Sequence, residues 1–218
     1  MPRRFPSFSV PSYLLAAAVA GALLLAGCSS GGAPSGTTTT TATPTVSAPA
    51  SPSESPSPVG STTGAYKPAD AKGRAENVPV PVMPAAAREN TKEGLEAFIR
   101  YWYAVKSYAN ETGDVQTLRS LHTSECGVCT HMVELTLESY ESGRWISGGK
   151  LSTGAFLIEG ESLVPHSHAR IQVMQDEIHY YNANGSEGRP SDAATNDVFL
   201  VIAAFEGEWK VTQSGVLR

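Results

Sequence analysis

The spacing of apolar residues changes once along this chain, near Gly143, and that change limits the folds open to it. Ahead of it, Leu95, Phe98, Ile99, Trp102, Val105 and Ala109 recur every three or four positions, with Glu96 four before Arg100 on the other side. The pattern predicts one amphipathic helix over about 91–109. Asn90 is placed to cap it, with Glu93 completing a capping box. The run Asn110 to Gly113 breaks it, and Asp114 can cap a short helix carrying Val115, Leu118 and Leu121. Cys129, Met132, Val133, Leu137 and Tyr140 mark a third helix ending at Gly143, with Glu134, Glu138 and Glu141 on its other face. Beyond Gly143 the period is two. Leu151, Thr153, Ala155 and Leu157 share one face of a strand within Lys150 to Glu159, and Ala169, Ile171 and Val173 alternate with His168, Arg170 and Gln172. Val198 to Phe205 is a nearly continuous apolar run, and Trp209 and Val211 alternate with polar neighbours. Glu206-Gly207 reads as a tight hairpin turn, and Asn184-Gly185 as a second one closing a hairpin around Ile178 to Tyr181. Helices followed by strands give an α+β domain: three N-terminal helices packed in or on a curved, mostly antiparallel sheet.

Composition bounds the region that can pack. From Ser29 to Gly64, 33 of 36 positions are Ser, Thr, Pro, Gly or Ala. Such a stretch has too little apolar surface to offset the entropy of ordering, so it is expected to be disordered. Residues 28–76 are read as a tether and 77–218 as one domain, with Lys67 to Glu76 loop-like. Val78-Pro79-Val80-Pro81-Val82-Met83-Pro84 is an extended strap, because its prolines forbid a helix, and its valines are expected to cover part of the domain.

Residues 1–27 read as an export signal: Arg3 and Arg4 form the positive end, and Tyr13 to Ala26 is an apolar run too short for a comfortable membrane span. It closes on Leu25-Ala26-Gly27-Cys28, which resembles the lipobox of bacterial lipoproteins. That resemblance implies cleavage before Cys28 and acylation of its thiol, with diacylglycerol and palmitate-type chains enough for stable anchoring. Without Arg3 and Arg4 the chain has 14 basic residues against 21 acidic ones, which argues against nucleic acid as a partner.

The string Phe98-Ile99-Arg100-Tyr101-Trp102-Tyr103, followed by Tyr108-Ala109, Thr112-Gly113-Asp114, Leu118, Leu121 and Cys126-x-x-Cys129, resembles an actinobacterial lipoprotein family, domain of unknown function 6318. The order of elements is similar to the nuclear-transport-factor-two-like cone. The resemblance covers about residues 77–218 and implies fold and place; it carries no activity.

Cys126 and Cys129 have no other cysteine beside them in the exported domain once Cys28 is acylated, and they are read as a structural disulfide. A thioredoxin-like redox pair is the alternative, but that motif follows a strand, whereas this one lies between helices. A zinc site from Cys126, Cys129, His122 and His131 is a third reading. A second cluster, His166, His168 and His179 with Asp176 and Glu177, offers candidates for a general base, as does Asp114. His168 shares its phase with Arg170 and Gln172, which places it on a solvated face. Tyr101, Tyr103 and Tyr108 can line a cavity around Trp102, while Phe98, Trp102, Phe199, Phe205 and Trp209 are expected to fill the cone.

These residues form no catalytic, metal or cofactor constellation. The expected function is therefore that of a membrane-tethered extracytoplasmic lipoprotein on the outer face of the cytoplasmic membrane, binding an envelope protein or small ligand without catalysis. The alternative is a small envelope isomerase or dehydratase with an inward His or Asp base. A sheet face of this kind can also form a homodimer.

Overall fold

The computed structural model describes residues 64–160 and 166–218. The expected signal, Cys28 and the tether before residue 64 lie outside the described residues. Among these residues, α1 (Lys92–Thr112), α2 (Gln116–Ser120) and α3 (Gly127–Tyr140) precede the strands β1 (Trp145–Gly148), β2 (Leu151–Glu159), β3 (Ser167–Gln175), β4 (Ile178–Tyr181), β5 (Thr195–Phe205) and β6 (Trp209–Val216). The helices lie mid-chain rather than at the N-terminus as expected; a bridged loop, the proline strap and a 3-10 turn come before them. The strands form an antiparallel sheet in the order β2-β3-β5-β6, and β1 and β4 pair separately.

α1 starts one residue later than expected. Thr91, not Asn90, is the cap: its Oγ1 accepts from the Gly94 N–H at 2.9 Å, and its carbonyl accepts from Leu95 at 2.9 Å. The helix also runs three residues past the expected end, with Asn110 buried inside it, and stops at Gly113. Gly113 has φ of +79°, and a Cβ there would lie 2.6 Å from the Tyr140 ring, so backbone and space both require glycine. Asp114 accepts from the Gln116 N–H at 3.0 Å and so serves the start of α2, although Val115 holds the cap position.

One face of the sheet is the core. Ala169, Ile171 and Val173 of β3, Val201 and Ala203 of β5, and Trp209 and Val211 of β6 are buried against Leu95, Phe98, Ile99, Trp102 and Val105 of α1. β2 departs from simple alternation. A bulge between Thr153 and Phe156 reverses its phase, so Phe156 and Ile158 pack on the core while Leu157 is 59% exposed. Arg100 holds the bulge, donating to Thr153 Oγ1 at 2.8 Å and to the Gly154 carbonyl at 3.2 Å. The expected inward face of Leu151, Thr153, Ala155 and Leu157 is thus broken after Thr153.

The turns also differ. Phe205 pairs with Trp209, so the β5–β6 loop holds Glu206, Gly207 and Glu208 and is one residue longer than the expected turn. Asn184-Gly185 does turn the chain, yet β4 takes β1 as its strand partner. The returning segment meets β4 through the isolated bridges Tyr181–Glu187 and Ile178–Asp192 and forms no strand of its own. In the strap, Met83 packs on the core, whereas Val80 and Val82 are 47% and 43% exposed, so those two valines do not cover the domain as expected. The described end of the expected tether is fastened down: Trp145 Nε1 donates to the Asp70 carbonyl at 2.9 Å, and Arg74 donates to the Arg144 carbonyl at 2.9 Å.

Candidate functional site

The interior is filled unevenly. At one end Trp209 stacks on Phe98 at 6.5 Å between ring centres and meets Phe205 edge-on at 5.1 Å. Those three close that end, in keeping with the expected aromatic filling. Between Trp102, Phe199 and α3 the filling fails, because short side chains such as Thr136, Ser139 and Ser214 stand along the space, and a cavity of about 250 Å³ remains. A smaller hollow of about 130 Å³ adjoins it in sequence terms, sharing Leu135, Ser139, Tyr180 and Arg189.

Most of the cavity wall is apolar. α3 contributes Val128, Met132 and Leu135, and the strands contribute Ile146, Leu151, Val173, Ile178 and Phe199. Val128 and Leu135 are 48% and 46% exposed and mark where the wall reaches the surface. Trp102, Lys106 and Asn110 of α1 follow at four-residue spacing, so they lie above one another on one stripe of the wall, and further polar residues come from α3 (Thr136, Ser139) and from the strands (Gln175, Tyr180, Thr195, Ser214). Lys106 Nζ donates to Asn110 Oδ1 at 2.6 Å. Asn110 is held in turn by its Nδ2, which donates to the Gly149 carbonyl at 3.4 Å, and by the Tyr140 hydroxyl, which donates to the Asn110 carbonyl at 2.8 Å.

Burial pulls the Lys106 ammonium down to about 8. Lys106 is half-buried by surface area and lines the cavity. Trp102 is fully buried, and its indole N–H has no hydrogen-bond partner among the described residues. The Tyr103 hydroxyl is pushed well above the usual phenol range by burial; Ser214 opposes that shift without completing a hydrogen bond of normal geometry. At the surface, Arg189 lies 3.6 Å over the Tyr180 ring and 3.2 Å from Asp192, and burial with the Asp192 hydrogen bond raises Tyr180 to about 12.

The base candidates are elsewhere. His166, His168, Asp114 and Asp176 are exposed, and His179, half-buried, stands 3.8 Å from Glu177. None of these residues lines the cavity. Tyr103 does line it, whereas Tyr101 and Tyr108 do not. Cys126 and Cys129 stand at disulfide distance, with their Cα atoms 5.2 Å apart, and Cys126 Sγ accepts from the Cys129 N–H at the start of α3. With the sulfurs joined, neither offers a thiolate to a metal. His131 is exposed beside Glu134 at 3.7 Å, and His122 is half-buried, its imidazole held below the usual range chiefly by burial.

Sequence reasoning missed Lys106 and Asn110. A signal was present: they follow Trp102 by one and two turns, so they are polar residues on the border of an otherwise apolar stripe. Treating Asn110 as a helix breaker concealed it.

Fold and site together define an α+β domain with a partly apolar cavity between helices and an antiparallel sheet. The chain belongs to the family of unknown function DUF6318, whose model matches residues 64–215. No curated protein matches the chain. Among solved structures, the intermembrane space region of the chloroplast protein ARC6 is 10% identical with a TM-score of 0.44, covering 59% of this chain and 98% of that one. A periplasmic fragment of TraM is 12% identical with a TM-score of 0.39, covering 59% and 98%. A protein of unknown function with a cystatin-like fold from Nostoc punctiforme is 10% identical with a TM-score of 0.33, covering 56% and 88%.

Proposed function

We propose that this chain is an actinobacterial lipoprotein, anchored through Cys28 to the outer face of the cytoplasmic membrane, whose nuclear-transport-factor-two-like domain is a non-enzymatic binding module of the cell envelope. The lipobox-like Leu25-Ala26-Gly27-Cys28 and the Ser/Thr/Pro-rich tract after it support the address. Among the described residues no helix is long and apolar enough to cross a membrane. The cavity carries the binding reading. A hollow of about 250 Å³, apolar over most of its wall and holding a few converging polar groups, is the form of a small-molecule site. Its polar residues supply hydrogen-bond donors and the Lys106 ammonium, and its hydroxyl–carboxylate pair, Tyr180 with Asp192, is tied to Arg189 at the surface.

Native mass spectrometry of the chain taken from its own membrane tests this reading. A mass present in native spectra and absent from denaturing ones, and lost when Met132→Trp fills the cavity, is the expected result. Bare protein in both forms contradicts it.

A further inference from the structure

We infer that the cavity takes an apolar molecule of about a dozen heavy atoms bearing a single anionic head, with Lys106 as the counter-charge. The inference rests on the binding reading above and names the ligand's chemistry.

Charge decides the head group. The titratable side chains along the cavity are Lys106 and Tyr103 of α1, Tyr180 of β4, and Arg189 and Asp192 of the segment that follows. The residues contributed by α3 and by the other strands are neutral. Arg189 and Asp192 offset each other at 3.2 Å, and the two phenols are held uncharged by burial. Lys106 is left as the net charge of the site, and it donates to the neutral Asn110 amide at 2.6 Å. An ammonium that lines a mostly apolar hollow and whose partner is a neutral amide is unfavourable in the empty protein, and an anion entering the hollow relieves that cost.

Size and shape decide the rest. The hollow exceeds the roughly 150 Å³ known to admit a benzene ring, so it has room for a ring and a short chain. The exposed Val128 and Leu135 at its edge give an apolar body a path inward. Raising the pH past about 8 discharges Lys106 and should weaken the anion's hold.

The test uses the full chain in lipid nanodiscs, with empty nanodiscs as blanks, titrated calorimetrically with 3-phenylpropionate, 3-phenylpropan-1-ol and 3-phenylpropylammonium. The expected order puts the carboxylate about tenfold or more ahead of the alcohol, as a charge-assisted hydrogen bond implies. The ammonium should bind least. Lys106→Met should remove the carboxylate's advantage and keep the alcohol's affinity, and Asn110→Asp should do the same by placing a carboxylate beside Lys106. The advantage should also fall between pH 7 and pH 9.5. If the alcohol or the ammonium binds as well as the carboxylate, or if both variants keep the preference, the charge assignment is overturned and the binding reading stands. If none of the three binds, the binding reading falls with it.

Discussion

Lys106 connects the local physics of this domain to its proposed task. An ammonium that gives up its proton near pH 8 in the folded chain, against about 10.4 when unfolded, makes the unfolded state the stronger proton binder between those values. Stability should therefore rise with pH across that window, because the cost of the buried charge is present below pH 8 and fades as the folded form deprotonates. Lys106→Met keeps the stem and removes the charge, so the variant should be more stable than the natural chain at pH 7. That margin should shrink by pH 10. Urea unfolding at both values measures it, and a less stable variant at pH 7, or an unchanged margin, would count against a buried uncompensated charge. Such a residue is retained at a cost to folding, which is the pattern of functional rather than structural polar groups.

At the scale of elements, the sequence was a good guide to kind and a weaker one to position. The three helices and the main strands were legible because apolar residues recur with the period of each element, and that period is set by backbone geometry alone. The helix cap was not. Asn90 and Thr91 are both good caps in isolation, and the choice was made by which carbonyl Leu95 reaches. Thr91→Ala should cost about 1 kcal/mol in thermal or urea unfolding, whereas Asn90→Ala should be close to neutral. Equal effects would contradict the assigned start of α1. The β2 phase reversal was hidden for a different reason: Arg100 bonds to Thr153 and Gly154 from a distant part of the chain, and no local pattern reports that contact.

For the whole molecule, the cavity could not be read from the sequence, since its wall is assembled from three layers that meet only after folding. Its polar stripe on α1 was visible in principle through the spacing of Trp102, Lys106 and Asn110. The address is a separate matter, resting on residues 1–64. Cys28→Ala should release the chain from the membrane fraction without changing ligand affinity, because the anchor and the cavity belong to different parts of the chain. Retention of the variant on membranes would contradict the lipoprotein assignment.

The central claim, that the cavity between α1, α3 and the sheet is the binding site, is tested most directly by the indole N–H signals of Trp102, Trp145 and Trp209 in a nitrogen-15 NMR titration. Trp145 donates to the Asp70 carbonyl and Trp209 to the Glu89 carbonyl, each at 2.9 Å, while Trp102 has no partner among the described residues. Addition of 3-phenylpropionate should move the Trp102 signal, because Trp102 lines the cavity and the ligand's aromatic ring enters beside it, and leave Trp209 nearly unmoved. A shift confined to Trp145 or Trp209, or a Trp102 signal that stays in place while the ligand saturates the protein, would contradict the account.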